Sequence, residues 1–254
     1  MSLLRIHSAP VLRGGHWLWE TGSPELPVRF VGRGSTVDRK TLLRSISAQS
    51  PDRLAWVRQI HSDRILVAKE GCCGEGDALL TTRTDLALSV ATADCVPVVI
   101  ASDIAVAVVH AGWRGVASRI AVEAVSAMRS PPARLSAWIG PAIGVCCYEV
   151  GFDVAGVVAA ASTPEIIRDR PGSRPKVDLS LAIQWQLFDS GVERIEIVDC
   201  CTRCNEEWLW SYRRDGDSAG RNLAFAWLQD PKASVPGGST GVDERGESGR
   251  YRVI

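Results

Sequence analysis

The hydrophobic positions of this chain follow two spacings, one typical of strands and one typical of helices. The strand-like segments are short runs rich in β-branched residues, at residues 54–60, 86–92, 96–100 and 104–109. They cluster in the first half of the chain, whereas most of the helical spacing comes later. This order predicts an α+β fold in place of a regular alternation of strand and helix.

The helical segments are marked by capping residues and by apolar positions three or four residues apart. One helical pattern starts at Asp38, and another runs from Asp178 to Gly191. A third follows Gly115, where six apolar positions share one helical face: Val116, Ile120, Ala121, Ala124, Val125 and Met128. The chain then returns to a strand pattern, which ends near residues 223–227.

The composition is that of one globular domain followed by a polar tail. Hydrophobic residues occupy 46% of the 254 positions, which is ample for a core. No linker divides residues 1–230, so we expect one domain there, whereas the polar, Gly-rich residues 231–254 predict a flexible tail. Basic and acidic residues balance at 29 each, which favours neither nucleic acid nor a membrane surface as a partner.

Targeting and cysteine patterns both predict a cytoplasmic protein. The N-terminus lacks the apolar stretch of a secretory signal, and the apolar residues 96–109 are too short to span a bilayer. Six of the eight cysteines form adjacent pairs, which rarely bridge, so we interpret them as reduced thiols. Cys201 and Cys204 form a C-x-x-C motif for which a structural role is favoured, with redox and metal roles open. No second C-x-x-C completes a four-thiol zinc site.

Three short segments each carry one side chain suited to a transition metal. They are Gln59-Ile60-His61, Ala93-Asp94-Cys95 and His110-Ala111-Gly112-Trp113-Arg114-Gly115. Each lies at the end of a predicted strand, where rigid scaffolds commonly present functional side chains. Two imidazoles and one thiolate suit zinc, and three protein ligands leave a fourth position open, as in catalytic sites. A structural interpretation stays open as well, since a lone buried Cys usually packs as a small hydrophobe.

An ordered set of motifs gives the chain a family resemblance. Besides the three segments, the set comprises Gly76-Asp77-Ala78-Leu79, Ile139-Gly140-Pro141, Tyr148-Glu149-Val150-Gly151, Ser211-Tyr212-Arg213-Arg214-Asp215-Gly216 and Gly220-Arg221. Together they resemble the YfiH-like laccase-domain family, also called the polyphenol oxidase or peptidoglycan editing factor family, from about residue 28 to residue 228. The resemblance implies a single-domain α-β-β-α layered sandwich with mixed sheets.

The same resemblance implies an activity. It implies a zinc ion held by His61, Cys95 and His110, and a purine nucleoside phosphorylase that uses phosphate and adenosine, inosine or methylthioadenosine. It also implies adenosine deaminase activity at the same site. A zinc ion with an open position lowers the pKa of bound water to roughly 7, which suits deamination. One departure from the family pattern is that Arg33-Gly34-Ser35 passes almost directly into the helical pattern at Asp38.

Phosphate binding and proton transfer need further side chains. Arg33, Arg114 and Arg214 are the candidates for phosphate contacts, because a planar guanidinium matches phosphate oxygens. The alternative for each of them is a surface ion pair. Asp94 precedes Cys95, and adjacent side chains of an extended segment point to opposite faces, so we expect Asp94 to orient an imidazole or to cap a turn.

Two other functions stay open. A cysteine hydrolase acting on peptidoglycan precursors would use Cys95 as the nucleophile and His110 as the base. A copper-dependent polyphenol oxidase would need a Cys with two His, usually a Met, and many further His. The chain has four His and two Met in total, so the oxidase is the least favoured of the three functions.

Overall fold

The computed structural model describes residues 2–6, 9–34, 38–169 and 171–229. The strands are β1 (Ser2–Ile6), β2 (Val11–Arg13), β3 (His16–Gly22), β4 (Pro27–Gly34), β5 (Arg53–Arg58), β6 (Ile65–Val67), β7 (Gly71–Glu75), β8 (Ala78–Thr81), β9 (Leu86–Thr92), β10 (Val96–Ala101), β11 (Val106–Ala111), β12 (Ser136–Ile139), β13 (Ile167–Arg168), β14 (Lys176–Val177), β15 (Arg194–Val198) and β16 (Asn222–Ala226). The helices are α1 (Arg39–Ile46), α2 (Trp113–Ala117), α3 (Ile120–Ala127), α4 (Phe152–Ala160), α5 (Leu179–Asp189) and α6 (Tyr212–Asp215). The tail expected at residues 231–254 lies outside the described residues.

Within the described residues, the long strands form two mixed sheets of seven strands each. The first sheet has the order β1-β15-β12-β10-β11-β8-β6, and the second has the order β2-β3-β4-β16-β9-β5-β7. Both sheets contain parallel and antiparallel pairs. In the first sheet β12 is parallel to β15 and β10 is antiparallel to β11. In the second sheet β5 is parallel to β9 and β3 is antiparallel to β4. The predicted mixed sheets are therefore confirmed, and the strand at residues 86–92 has the predicted bounds.

The two sheets stack face to face between two layers of helices. Helices α2 to α5 cover the outer face of the first sheet, and α1 covers the outer face of the second. Along β10, Val98 and Ile100 pack toward the helices, while Val99 packs toward the second sheet. Because both faces of β10 are buried, its sequence is a continuous apolar run without alternation. The α-β-β-α sandwich is thus confirmed as a single domain.

The helical pattern after Gly115 is interrupted in the structure. It divides into α2 and α3, and Arg119 between them has a φ of +58°, in the left-handed region. The Arg119 side chain stabilises this break, since it donates to the carbonyl oxygen of Ala161 at 3.2 Å and to Asp189 at 3.0 Å. All six apolar positions of the pattern are nevertheless buried, so the predicted face is correct and the continuity of the helix is not.

No helix in the described part of the chain combines the length and the hydropathy required to cross a bilayer.

Candidate metal centre

Three predicted ligands meet at one edge of the sandwich, where the two sheets adjoin. His61 follows β5 of the second sheet, Cys95 directly precedes β10 of the first sheet, and His110 lies in β11. Their candidate ligand atoms all lie within 4.8 Å of one another, and Cys95 Sγ is 3.9 Å from His61 Nε2. The two imidazole rings are 4.9 Å apart between centroids, at 78°. The arrangement can hold one metal ion.

Strand register explains why Cys95 and His110 converge. In the antiparallel pair β10 and β11, Pro97 lies opposite His110 and Val96 lies opposite Ala111. Continuing this register brings Cys95 next to Gly112 at the start of α2. A Cβ atom on Gly112 would lie 3.1 Å from Cys95 Sγ and 3.0 Å from His61 Cδ2. Gly112 therefore leaves the space into which two candidate ligands fit.

The carboxylate of Asp77 holds the His61 turn. It accepts hydrogen bonds from the backbone N–H groups of Ile60, His61 and Ser62 at 3.3, 3.0 and 2.6 Å, and from the Ser62 hydroxyl at 2.7 Å. These bonds support a φ of +58° at His61, which a non-glycine residue rarely adopts. Asp77 thus fixes the backbone of this turn, and the backbone sets the position of the His61 imidazole.

Asp77 also fixes the tautomer of His110. The Nδ1–H of His110 donates to Asp77 Oδ1 at 2.8 Å, so Nε2 is the nitrogen left to bind a metal. The Asp77 side chain is fully buried. Burial alone would raise its pKa, but the hydrogen bonds from His110 and Ser62 outweigh burial and hold the pKa far below its usual range. Asp77 is therefore a permanent carboxylate between the two histidines.

The Cys95 thiol is activated by its neighbours. Burial would raise its pKa, but hydrogen bonds with His110 and His61 lower it from 9.0 to about 7. Burial would lower the pKa of His110, but the hydrogen bonds with Asp77 and Cys95 raise it to about 9. In the metal-free protein near neutral pH, Cys95 therefore loses its proton more readily than an ordinary thiol, beside a protonated His110, and a cation replaces the imidazolium proton on binding.

Asp94 takes the second of its two expected roles, that of a cap. Its carboxylate accepts from the Thr202 hydroxyl and from the backbone N–H of Arg213, each at 2.6 Å. Its φ is +87°, which turns the chain from β9 of the second sheet into β10 of the first. Asp94 thereby ties the turn that carries Cys95 to the segment around α6. The imidazole is oriented by Asp77 instead.

A cleft of about 510 Å³ opens over the three candidate ligands. Its wall contains three basic side chains and two phenols. The full lining is Arg39, Val57, Gln59, His61, Ala91, Ala93, Asp94, Cys95, His110, Tyr148, Tyr212, Arg213 and Arg221. This lining forms a site for a small molecule with an anionic portion, next to the candidate metal centre.

The three arginines expected to contact phosphate do not line this cleft. Arg33 donates to Leu209 O and to Asp215, and it lies over the Trp210 ring at 3.9 Å. Arg214 uses its donors on Asp215 and on three carbonyl oxygens. Arg114 is exposed and lies over Trp113 at 4.4 Å. Arg33 and Arg214 thus brace the segment behind the cleft.

Sequence reasoning did not assign roles to Arg39 and Tyr148, which line the cleft, whereas it named Arg213, with Arg214, as a pair that either lies in a solvated turn or holds phosphate. Arg213 donates to the carbonyl oxygen of Glu149 at 2.9 Å and lies 5.2 Å from the Tyr148 ring centroid. The Nη1 atom of Arg39 is buried without a hydrogen-bond partner among the described residues. The sequence did carry a signal for the role of Asp77. Its carboxylate directly precedes the apolar strand β8, where it is expected to be buried, and a buried charge needs a dedicated partner.

Gly112→Ala should weaken metal binding without unfolding the chain. The added Cβ would approach Cys95 Sγ and His61 Cδ2 more closely than side chains normally allow, so at least one ligand must shift. We expect metal affinity to fall on the order of tenfold, the lower end of the effect of disturbing ligand orientation. Competition with a chelator measures it. Gly156→Ala in α4 is the matched control, because its Cβ would contact nothing within 4 Å. Equal affinity of both variants would contradict the crowding argument.

Comparison with known protein families gives a match over most of the chain. The sequence model of the multi-copper polyphenol oxidoreductase laccase family matches residues 35–229. A protein of Clostridium acetobutylicum named purine nucleoside phosphorylase is 35% identical over 186 residues, which is 68% of this chain and 75% of that protein. A protein of Escherichia coli named purine nucleoside phosphorylase YfiH is 34% identical over 186 residues, covering 70% and 75%.

Comparison with solved structures also gives similarity over most of the chain. The YlmD protein of Geobacillus stearothermophilus superposes with a TM-score of 0.77 at 26% identity, covering 85% of this chain and 97% of that chain. The NMB0706 protein of Neisseria meningitidis superposes with a TM-score of 0.76 at 26% identity, covering 85% of this chain and all of the other. The similarity therefore extends to the whole layered sandwich.

Proposed function

Because the chain belongs to the YfiH-like family of laccase-domain proteins, we propose that it is a zinc-dependent purine nucleoside phosphorylase. Its proposed substrates are phosphate and adenosine, inosine or methylthioadenosine, with deamination of adenosine as a second activity. The observation that carries the proposal is the convergence of His61, Cys95 and His110 on the wall of a cleft that is also lined by arginines. The names of the relatives supply the substrate class.

The donor set supports zinc as the metal. Two imidazole nitrogens and one thiolate are ligands that zinc accepts in tetrahedral sites. The carboxylate behind His110 is the partner that commonly orients a zinc-bound imidazole. A bound zinc ion would supply a Lewis acid and an acidified water at neutral pH. Zinc would be held by His61, Cys95 and His110.

Copper chemistry of the multicopper type has little support. Such an oxidase needs several copper centres and many histidines. The whole chain contains four His. Within the part of the chain that the structure describes, the two clusters of candidate ligands contain only two of these histidines. The family description therefore does not carry an oxidase function over to this chain.

Arg39 is the proposed phosphate contact in place of the three arginines expected from sequence. Its side chain lines the cleft, and its Nη1 atom is buried without a partner among the described residues. A buried guanidinium donor that lacks an acceptor is costly, and a phosphate oxygen is a suitable acceptor. Burial lowers the pKa of Arg39 below the usual value of an arginine, but the guanidinium still carries its charge at neutral pH.

Tyr148 is the proposed hydrogen-bond donor to the nucleoside. It lines the cleft together with His110 and Arg213. Burial and the negative charge of Cys95 raise the pKa of Tyr148 to about 12, so its phenol keeps its proton at neutral pH. A protonated phenol can donate to a purine nitrogen or a ribose hydroxyl and can steady the base as it leaves. The Arg213 guanidinium lies over the Tyr148 ring, 5.2 Å from its centroid.

The function is tested by product analysis. The purified protein is incubated with adenosine in the presence and absence of phosphate, and the products are separated by chromatography. Phosphorolysis predicts free adenine and ribose 1-phosphate only when phosphate is present, whereas deamination predicts inosine in both conditions. If neither free base nor inosine forms at any phosphate concentration, the proposed function is wrong.

Arg39→Met should raise the phosphate requirement of phosphorolysis. Methionine retains much of the apolar stem of Arg39 but not its donors. A charged hydrogen bond contributes about 1.5–3 kcal/mol, so we expect kcat/KM for phosphate to fall roughly 10- to 150-fold. Deamination consumes only water and should change far less. Steady-state kinetics of both reactions measure the split.

Arg44→Met is the matched control for this variant. Arg44 lies on the same helix, is exposed, and pairs with the exposed Asp52 at 2.9 Å. The Arg44→Met variant should leave both phosphorolysis and deamination unchanged. If Arg39→Met slows phosphorolysis and deamination equally, Arg39 contacts the nucleoside and not phosphate.

One observation also favours a cysteine hydrolase as a second candidate. Cys95, His110 and Asp77 are linked in the order of a nucleophile, a base and an orienting carboxylate. His61, 3.9 Å from Cys95 Sγ, has no role in such a triad, but it completes a metal site. Iodoacetamide labelling separates the two functions, because a metal-bound thiolate resists alkylation until a chelator removes the metal. Rapid labelling of Cys95 in fully metal-loaded protein would favour the hydrolase.

A further inference from the structure

Four cysteines outside the metal centre meet between two loops. Cys146 and Cys147 lie in the turn after β12, and Cys201 and Cys204 lie in the loop after β15. Because β12 and β15 are adjacent parallel strands, both loops leave the first sheet at the same edge. The four sulfur atoms lie within 4.8 Å of one another.

The spacing of these sulfurs matches four ligands of one ion. Cys204 Sγ is 3.4 Å from Cys147 Sγ and 3.6 Å from Cys146 Sγ. With Zn–S bonds of about 2.3 Å, a tetrahedral site places neighbouring sulfurs roughly 3.8 Å apart. A disulfide brings two sulfurs to about 2.05 Å and would leave the other thiols unpaired. Cys204 Sγ is almost equally distant from the sulfurs of Cys146 and Cys147, which suits an ion shared by all three better than a disulfide to either one.

The surroundings suit an anionic metal–thiolate group. The backbone N–H of Gly144 donates to Cys201 Sγ at 3.2 Å, a contact that commonly supports a metal-bound thiolate. Two cations brace the loops through their carbonyl groups. Lys176 Nζ donates to Cys146 O at 2.8 Å, and Arg214 donates to Thr202 O at 2.9 Å. Both cations lie where they can offset part of the charge of four thiolates.

We propose that Cys146, Cys147, Cys201 and Cys204 bind a second zinc ion in a closed, structural site. Four protein thiolates leave no position open, which distinguishes this site from the one in the cleft. The sequence contains one C-x-x-C motif and no second one, and in the structure an adjacent pair of cysteines lies where the second pair would be needed. The adjacent pair Cys146-Cys147, 57 or 58 residues away along the chain from Cys204, supplies the other two ligands.

The second ion would join two parts of the cleft. Tyr148 directly follows Cys147 and lines the cleft. Thr202 directly follows Cys201 and donates to Asp94, the residue before Cys95, at 2.6 Å. Ligation of all four thiols would therefore fix the positions of both Tyr148 and the turn that carries Cys95. This site needs neither the proposed activity nor the first metal, so its test can fail or succeed independently of them.

Metal content of four proteins tests the proposal. They are the wild type, Cys146→Ser/Cys204→Ser, His61→Ala/His110→Ala, and Cys72→Ser as a control with one exposed cysteine outside the cluster. After purification without added metal, we expect about two zinc ions per chain in the wild type and the control, and about one in each double variant. The folded His61→Ala/His110→Ala protein should retain its ion against a chelator and should lose it to the chelator once the chain is unfolded by denaturant.

Native mass spectrometry of the wild type keeps the test decisive if the cysteine variant fails to fold. Two zinc ions with all eight thiols reduced would support the site. A mass lower by two hydrogens, together with a peptide that links Cys204 to Cys146 or Cys147, would overturn it in favour of a disulfide. Retention of no metal by the folded His61→Ala/His110→Ala protein would also overturn it, and iron in place of zinc would overturn the assignment of the metal.

Discussion

Cys95→Ala is expected to remove the metal from the cleft and to abolish phosphorolysis and deamination together. Cys95 is the only thiolate among the three candidate ligands, and its charge offsets that of a divalent cation. Disturbing a residue that merely orients a ligand costs 10- to 100-fold in metal affinity, so removing a ligand should cost at least about 100-fold. Metal content and product formation are measured on the same preparation.

The matched control for this substitution is Cys72→Ala. Cys72 is exposed and lies outside both clusters of candidate ligands in the described residues. It should keep both the metal and both activities. If Cys95→Ala retains its full metal content, or if it loses activity while His61→Ala keeps all of it, the metal mechanism is contradicted. The second outcome would favour the hydrolase, since a triad of Cys95, His110 and Asp77 does not use His61.

The convergence of the three candidate ligands was predictable because each lies next to a strand that is itself easy to predict. β9 and β10 are apolar on both faces, so their bounds follow from hydrophobic runs, and the turn between them must carry Cys95. The layered arrangement did not follow from these runs. A strand buried on both faces has the same pattern whether helices or a second sheet cover it. The family resemblance supplied that part.

The partners of the charged residues were not predictable from local sequence. Arg33 pairs with Asp215, 182 positions away, and Asp94 accepts from Arg213, 119 positions away. An arginine in one of the family motifs can brace a loop or face a substrate, and only the three-dimensional contacts decide between these two roles. The same holds for Arg39, which stands first in α1 as an ordinary helical residue and lies in the cleft wall only because α1 packs on the second sheet.

The four-thiol cluster is a further case of long-range assembly. The C-x-x-C spacing alone favoured a structural role for Cys201 and Cys204, since a zinc site needs four donors. The missing donors came from a pair of adjacent cysteines, a spacing that matches no common zinc motif. Parallel pairing of β12 with β15 brings the two loops together, and a parallel pairing between residues 58 positions apart, such as Ser136 and Arg194, leaves no local signal.

Asp77→Asn is expected to weaken both the metal centre and the fold. The Asp77 side chain is fully buried and accepts from four donors of the His61 turn and from His110. Asparagine keeps the shape but loses the charge, and its NH₂ group faces donors and finds no acceptor. Breaking a buried ion pair costs on the order of 3–5 kcal/mol in stability. Metal affinity should fall about 10- to 100-fold, because the His110 imidazole loses its orienting carboxylate.

Asp85→Asn is the matched control. Asp85 is an exposed carboxylate that pairs with Arg53 and Arg83 at the surface. Surface ion pairs contribute about 0–1 kcal/mol, so this variant should differ little from the wild type in stability and in metal affinity. Denaturant unfolding of the metal-free proteins measures the first quantity, and chelator competition measures the second. Equal losses in the two variants would remove the special role of Asp77.

The pH dependence of the Asp77→Asn effect gives the sharpest test. The folded pKa of Asp77 lies below its unfolded value of about 3.9, so the stabilisation by Asp77 is complete above about pH 4 and is lost as the pH falls further. The folded pKa of His110 is raised to about 9. The stabilisation that protonated His110 contributes is therefore complete below the unfolded value of about 6.5 and is lost as the pH rises through 9. The stability difference between wild type and Asp77→Asn, both metal-free, should therefore be largest between about pH 4 and 6.5 and should shrink on either side. A difference that stays constant from pH 3 to pH 10 would mean that Asp77 acts through packing alone and not as the charged partner of His110.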